Sequence, residues 1–170
     1  KLEVMPTQIA SSYRLDASCS MPVLEANGGS IAALARAADG GSIYAAGSFT
    51  RAAGAVRTNL ARFTADLQLD SGYAPQVDGS ISQLALQKDG KLIIAGSFTS
   101  VAGQPRGGIA RLNVDGTLDS TYNLPAGVVS YVNAMVLDAS GRLLLGGSIN
   151  LPGIGYLGLV RLNTDGSVDS

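Results

Sequence analysis

Residues 81–112 read ISQLALQKDGKLIIAGSFTSVAGQPRGGIARL. In the run KLIIAGSF, Leu92, Ile94, Gly96 and Phe98 fall on one side of an extended chain, and Ile93, Ala95 and Ser97 fall on the other. Both sides are apolar or small, so a strand here has no solvent face and must lie between two neighbours. Asp89 and Gly90 separate this run from ISQLALQ, and an Asp-Gly pair between two β-rich runs is a strong hairpin signal. A third run, GIARLN, leads to a second such pair, Asp115 and Gly116, and then to TLDSTYNL. The unit is a meander of four strands in about 50 residues.

The unit recurs. From Ile31 the chain reads IAALARAADGGSIYAAGSFTRAAGAVRTNLARF, with the runs and turns in the same order. Gly47, Gly96 and Gly147 stand 49 and 51 residues apart, whereas Arg62, Arg111 and Arg161, like Asp70, Asp119 and Asp169, stand 49 and 50 apart. An earlier partial copy, YRLDASC from Tyr13, places Asp16 at the matching position. The chain therefore divides into a segment 1–27 that carries the outer strand of a preceding unit, and repeats over 28–77, 78–127 and 128–170, the last truncated in its outer strand.

Strands with two apolar faces need sheets stacked on both sides, and radial stacking achieves this with short, protected edges. The prediction is an all-β fold: a β-propeller of four-stranded antiparallel blades, about three of them here, as part of a six- or seven-bladed ring. A parallel α/β sheet also buries both faces, but these links are too short for crossover helices. Single-layer solenoids usually have shorter repeats and one strand per turn. Three blades do not close a ring, which leaves further repeats on a longer chain, or two chains closed by exchange of outer strands.

Composition narrows the function. Hydrophobic residues make up 46% of the chain and charged ones 15%, ample material for a core. A net charge of −1, with no run of like charge, lacks the footprint of a nucleic-acid binder. The apolar runs fall far short of the ~20 residues needed to span a bilayer as a helix. No histidine is present, and Cys19 is the single cysteine. These residues therefore cannot form a Ser-His-Asp triad, a Cys-His pair, an imidazole metal site or an internal disulfide. Cys19 reads as a small buried hydrophobe. The opening KLEVMPTQIASS lacks the pattern of a signal peptide, which fits a processed chain or one that begins within a longer protein.

The second repeat, DGKLIIAGSFTSVAGQPRGGIARLNVDGTLDSTY, resembles the delta-60 repeat family of bacterial β-propeller proteins, and the likeness covers nearly all of residues 28–170. The first repeat departs where Ala65, Asp66 and Leu67 replace Val114, Asp115 and Gly116. The third departs further, with Ser148, Ile149 and Asn150 in place of Ser-Phe-Thr, and Tyr156 where Arg57 and Arg106 stand. The resemblance implies a propeller from a large secreted or surface-attached bacterial protein, extracellular and without catalytic residues to carry over. By analogy with similar propellers, the runs from Ile31, Ile81 and Val132 line the channel and the LDS-containing strands lie outermost.

Several motifs have plain structural readings. Gly153, Gly155 and Gly158 satisfy GxGxxG, but a strand follows where dinucleotide binding needs a helix. Asn113, Asp115 and Asp119 surround a glycine turn faintly like a calcium loop, yet without the closing glutamate. Hairpin geometry explains these aspartates better. The recurrent arginines and aspartates, Arg62 with Asp70, Arg111 with Asp119 and Arg161 with Asp169, are expected to bridge the third and fourth strands of each blade. Arg57 and Arg106 lie in the long loop between second and third strands, where propellers present binding faces, and with Tyr156 they are the candidate ligand or partner contacts. No catalytic, cofactor-binding or metal-binding residue is expected. The functional expectation is a non-catalytic scaffold or protein-interaction module whose partners are other protein subunits or further blades. A glycan-binding propeller is one alternative, and part of a propeller hydrolase completed by residues outside this chain is another.

Overall fold

The computed structural model describes residues 24–25, 29–38, 40–122, 124 and 129–169. The outer strand expected within 1–27, Cys19 included, lies outside the described residues. The strands, in chain order, are β1 (Leu24–Glu25), β2 (Ser30–Arg36), β3 (Ser42–Ser48), β4 (Arg51–Ala52), β5 (Ala55–Val56), β6 (Leu60–Thr64), β7 (Ile81–Leu86), β8 (Leu92–Gly96), β9 (Ser100–Val101), β10 (Gln104–Pro105), β11 (Ile109–Leu112), β12 (Val129–Leu137), β13 (Leu143–Leu151) and β14 (Gly155–Leu162).

Three antiparallel sheets form the body: β2-β3-β6, β7-β8-β11 and β12-β13-β14. Each is a meander, and the described residues contain no helix. The Asp-Gly hairpin of the second repeat closes as the sequence implies, with Gly90 at φ 82 donating its N–H to Gln87 O at 3.0 Å. The third repeat, which has Asp138-Ala139-Ser140-Gly141 in place of that pair, closes the same way, with Gly141 at φ 80 donating to Asp138 O at 3.0 Å. Between second and third strands the chain makes a smaller excursion. The pair β4-β5 joins β1, and the pair β9-β10 is met by an isolated bridge from Val77 to Val101.

Each first strand carries a bulge, where the register slips between Ile31 and Ala33, Ile81 and Gln83, or Val132 and Ala134. The bulge presses a main-chain carbonyl against the facing strand, and the recurrent glycine is the residue it meets. A Cβ on Gly47, Gly96 or Gly147 would lie 2.0, 2.1 or 2.0 Å from the carbonyl oxygen of Ser30, Ser80 or Tyr131. Glycine is required there by space.

The expected fourth strand is shorter than a strand. Only single bridges pair Phe63 with Leu69, Leu112 with Leu118 and Leu162 with Val168. The aspartate that follows ends the pairing, because its carboxylate turns the chain: Asp70 Oδ1 accepts the Gly72 N–H, and Asp119 Oδ1 accepts the Thr121 N–H, both at 2.9 Å. The blades are thus three ladder strands and a tucked outer segment.

Blades stack by burying both faces of each sheet. Tyr44, Ala46 and Leu60 of the first blade pack with Leu92, Ile94 and Leu112 of the second. The opposite face of the second, with Ile93, Ala95 and Ile109, packs with Leu143, Leu145 and Leu162 of the third. Strand β7 lies against β2 on one side and β12 on the other. Ser82 Oγ and Gln83 Nε2 donate to the carbonyls of Val132 and Asn133 at 3.4 and 3.1 Å, so first strands of successive blades adjoin. That is the inner-strand arrangement of a propeller.

Candidate functional site

The recurrent Arg–Asp pairs form. Arg62 and Asp70 meet at 2.8 Å, Arg111 and Asp119 at 2.8 Å, and Arg161 bonds Asp169. Each arginine stands on the third strand, and the aspartate that ends the outer segment faces it because its own N–H bonds the arginine's carbonyl. Asp119 also accepts from Lys91 Nζ at 2.8 Å and from Thr121 Oγ1 at 2.6 Å. Burial alone would raise its pKa, but the bonds from Lys91, Thr121 and Arg111 outweigh burial and hold it far below the usual carboxylate range. Asp70 follows the same logic more weakly, with burial opposed by Arg62.

The same guanidiniums cross to the following blade. Arg62 Nη1 donates to the carbonyl of Val114, and Arg111 Nη1 to the carbonyl of Thr164 at 2.6 Å. Tyrosines three residues after the aspartates complete the joint. Arg62 lies 4.2 Å over the ring of Tyr73, and Arg111 lies 4.5 Å over that of Tyr122. Tyr73 slides beneath the next Asp-Gly turn so closely that a Cβ on Gly116 would sit 3.0 Å from its ring. Burial pushes the Tyr122 hydroxyl up to about 12. Tyr73, Tyr122, Lys91 and the equivalent Arg142 were missed in the sequence reading; the DSGY and DSTY spacing was the available signal for the tyrosines.

The predicted contact residues are not brought together. Arg57 is half-buried and spends its guanidinium on its own blade, donating to Val56 O at 2.7 Å and Ser71 O at 2.9 Å. Arg106 donates to Pro105 O at 2.7 Å. Tyr156 stands exposed on β14. Asp115, the centre of the calcium-like pattern, caps its own turn through Thr117 N and Oγ1 at 2.9 and 2.7 Å. Among the described residues no cluster of three or more His, Cys, Asp or Glu side chains is placed to hold a metal ion. Gly153 and Gly155 turn the β13-β14 hairpin with φ 81 and 101.

What the loops do build is an open cleft of about 460 Å³ at the first blade junction. Its walls are the segment Val56, Arg57 and Thr58 on one side, and Gln76, Asp78 and Ser100 on the other. Asp78 is fixed by Thr99 N, Thr99 Oγ1 and Ser100 N at 2.8, 2.6 and 2.9 Å. The Thr99 hydroxyl, then the Ser100 N–H, lower its pKa to about 2. Asp78 has no counterpart in the other repeats, where Gly28 and Val129 occupy its place, so no periodic signal marked it.

Stacked meander blades locked by an arginine, an aspartate and a tyrosine define a β-propeller repeat protein. Residues 41–73, 87–122 and 139–170 match the family described as "Domain of unknown function (DUF5122) beta-propeller". These segments cover more than half of the chain, each with one of the recurrent Arg–Asp pairs described above, and the chain belongs to that family. No curated protein and no solved structure matches it.

Proposed function

We propose that the chain is a non-catalytic scaffold or protein-interaction module of the delta-60 repeat type, part of a larger bacterial surface or secreted protein, that holds a peptide segment of a partner at its loop rim. The observation that carries this reading is the cleft at the first blade junction. Its apolar floor of Pro75 and Val77, with Ala74 beside it and Val56 at the lip, lies between a guanidinium, Arg57, and a carboxylate, Asp78. An apolar side chain flanked by residues of both charges suits such a floor and rim. None of the described lining residues is aromatic, so a sugar ring has no stacking platform there. The recurrent charges are engaged in joining blades, which supports a scaffold in which loops carry recognition.

Panning a displayed peptide library on the chain tests this. Selected peptides are expected to protect amides of 56–58 and 76–78 from hydrogen exchange. Val56→Asp, at an exposed lip of the cleft, is expected to weaken them about tenfold. Glycan-array hits abolished by the same substitution would overturn the reading in favour of a glycan-binding propeller.

A further inference from the structure

Two strand edges at the loop rim differ by a single N–H group. β5 is the edge of the sheet β1-β4-β5, and β10 is the edge of the pair β9-β10 one repeat later. In the first, Arg57 N donates to Thr50 O at 3.0 Å, and Val56 stands opposite Arg51. Val56 thus occupies a non-hydrogen-bonded position of the ladder, and its N–H and C=O point away from β4 along the open side. The second repeat has the same register: Arg106 N donates to Thr99 O at 2.8 Å, and Pro105 stands opposite Ser100. The outward carbonyls are capped alike, Val56 O by Arg57 Nη1 and Pro105 O by Arg106 Nη1, each at 2.7 Å. The outward N–H is where the repeats part. Proline has none, which seals the edge at β10 against an added strand. At Val56 the N–H remains, and among the described residues no acceptor takes it.

That open donor lies on the wall of the cleft, next to the buried Pro75 and Val77 of its floor. On the facing wall Asp78 is held by neutral donors, Thr99 N, Thr99 Oγ1 and Ser100 N, unlike Asp70 and Asp119, which meet arginines. We propose that β5 is a strand-addition site for an extended segment of a partner protein. The segment gives a main-chain carbonyl to the Val56 N–H, sets an apolar side chain on Pro75 and Val77, and turns a basic side chain to Asp78. A carbonyl accepts from two donors, so the segment's own N–H shares Val56 O with Arg57. The proposal rests on reading the cleft as a peptide site, and adds how the peptide is held and which charge it carries.

The probe is the peptide most enriched by panning on the chain. In the free chain the Val56 amide is expected to exchange close to the unstructured rate, and the peptide to slow it at least about tenfold. Val56→Pro copies what Pro105 does in the second repeat, so it is expected to leave Tm within about two degrees and to weaken the peptide at least about tenfold. Val56→Thr keeps the N–H and the branched shape, and is expected to bind within about threefold of the parent chain. Ester replacement along the peptide backbone reads the same bond without altering the chain. It is expected to cost at least about fivefold at one position and little at its neighbours, the alternation of a paired strand. Asp78→Asn is expected to weaken the peptide and to flatten the salt dependence of its binding.

An amide at Val56 that is already slow in the free chain overturns the inference, because the donor then has a partner within the chain. Undiminished binding to Val56→Pro, equal loss in Val56→Thr, or uniform tolerance of esters also overturns it. If 56–58 and 76–78 are still protected in those cases, a peptide site survives that is held by side chains. Enriched peptides without a basic residue, bound equally well by Asp78→Asn, overturn the assignment of charge. A panning that yields no binder removes the inference together with the reading beneath it.

Discussion

At the scale of single residues, Asp119 gathers more than its repeat position announced. The spacing of arginine and aspartate was legible because it recurs, and the bridges form in all three blades. The convergence of Lys91 on the same carboxylate was not, because that position is Ser42 in the first blade. Removing one partner of a buried ionic group leaves the others uncompensated. Asp119→Asn is therefore expected to cost about 3 kcal/mol in urea unfolding. Asp70→Asn, at a site 31% exposed, is expected to cost about 1 kcal/mol or less. Equal losses at the two sites would contradict this ordering. The candidate contacts were less legible: Arg57 looked like a free loop cation, and only the fold brings the carbonyl of Ser71 to it from 14 residues away.

At the scale of elements, the Asp-Gly hairpins and the two-sided apolar strands were readable directly, since turn chemistry and alternation are local. The bulge in each first strand was not, because its cause is a contact across the sheet. The recurrent glycine marked the place without stating the reason, which is a carbonyl where a Cβ would lie. Gly96→Ala is expected to destabilise by about 3 kcal/mol, seen as a shift in the urea midpoint, because backbone and not a flexible side chain must move. Ala95→Gly, one residue away, loses only a small buried side chain and serves as the comparison. The fourth strand was overestimated for a related reason. LDS has strand-like residues, but the aspartate side chain competes for backbone N–H groups and turns the chain after one bridge.

At the scale of the whole molecule, the carboxylates set the response to acid. Asp70, Asp78, Asp115, Asp119, Asp138 and Asp165 all have pKa values lowered in the folded chain. A group whose folded pKa is depressed gives stability that is fully present above its unfolded value, about 4, and is lost as pH falls toward the folded value. The urea midpoint is expected to be flat near neutrality and to fall between about pH 4 and pH 2. In Asp119→Asn the fall is expected to be shallower. An unchanged slope would assign the acid response to other groups. That blades stack was legible from sequence, since no strand had a solvent face. How they lock was not, because each joint takes its arginine and tyrosine from one repeat and its turn from the next.

That division of the joint bears on how such an array changes over generations. The arginine asks its neighbour for a peptide carbonyl, which every amino acid supplies, and the residues that supply it here are as unlike as Val114 and Thr164. A duplicated repeat can therefore diverge at that position and still be gripped by the copy before it. Drift is tolerated on the accepting side and punished on the donating side, so an array of this kind lengthens by copying without having to evolve a new match at every seam.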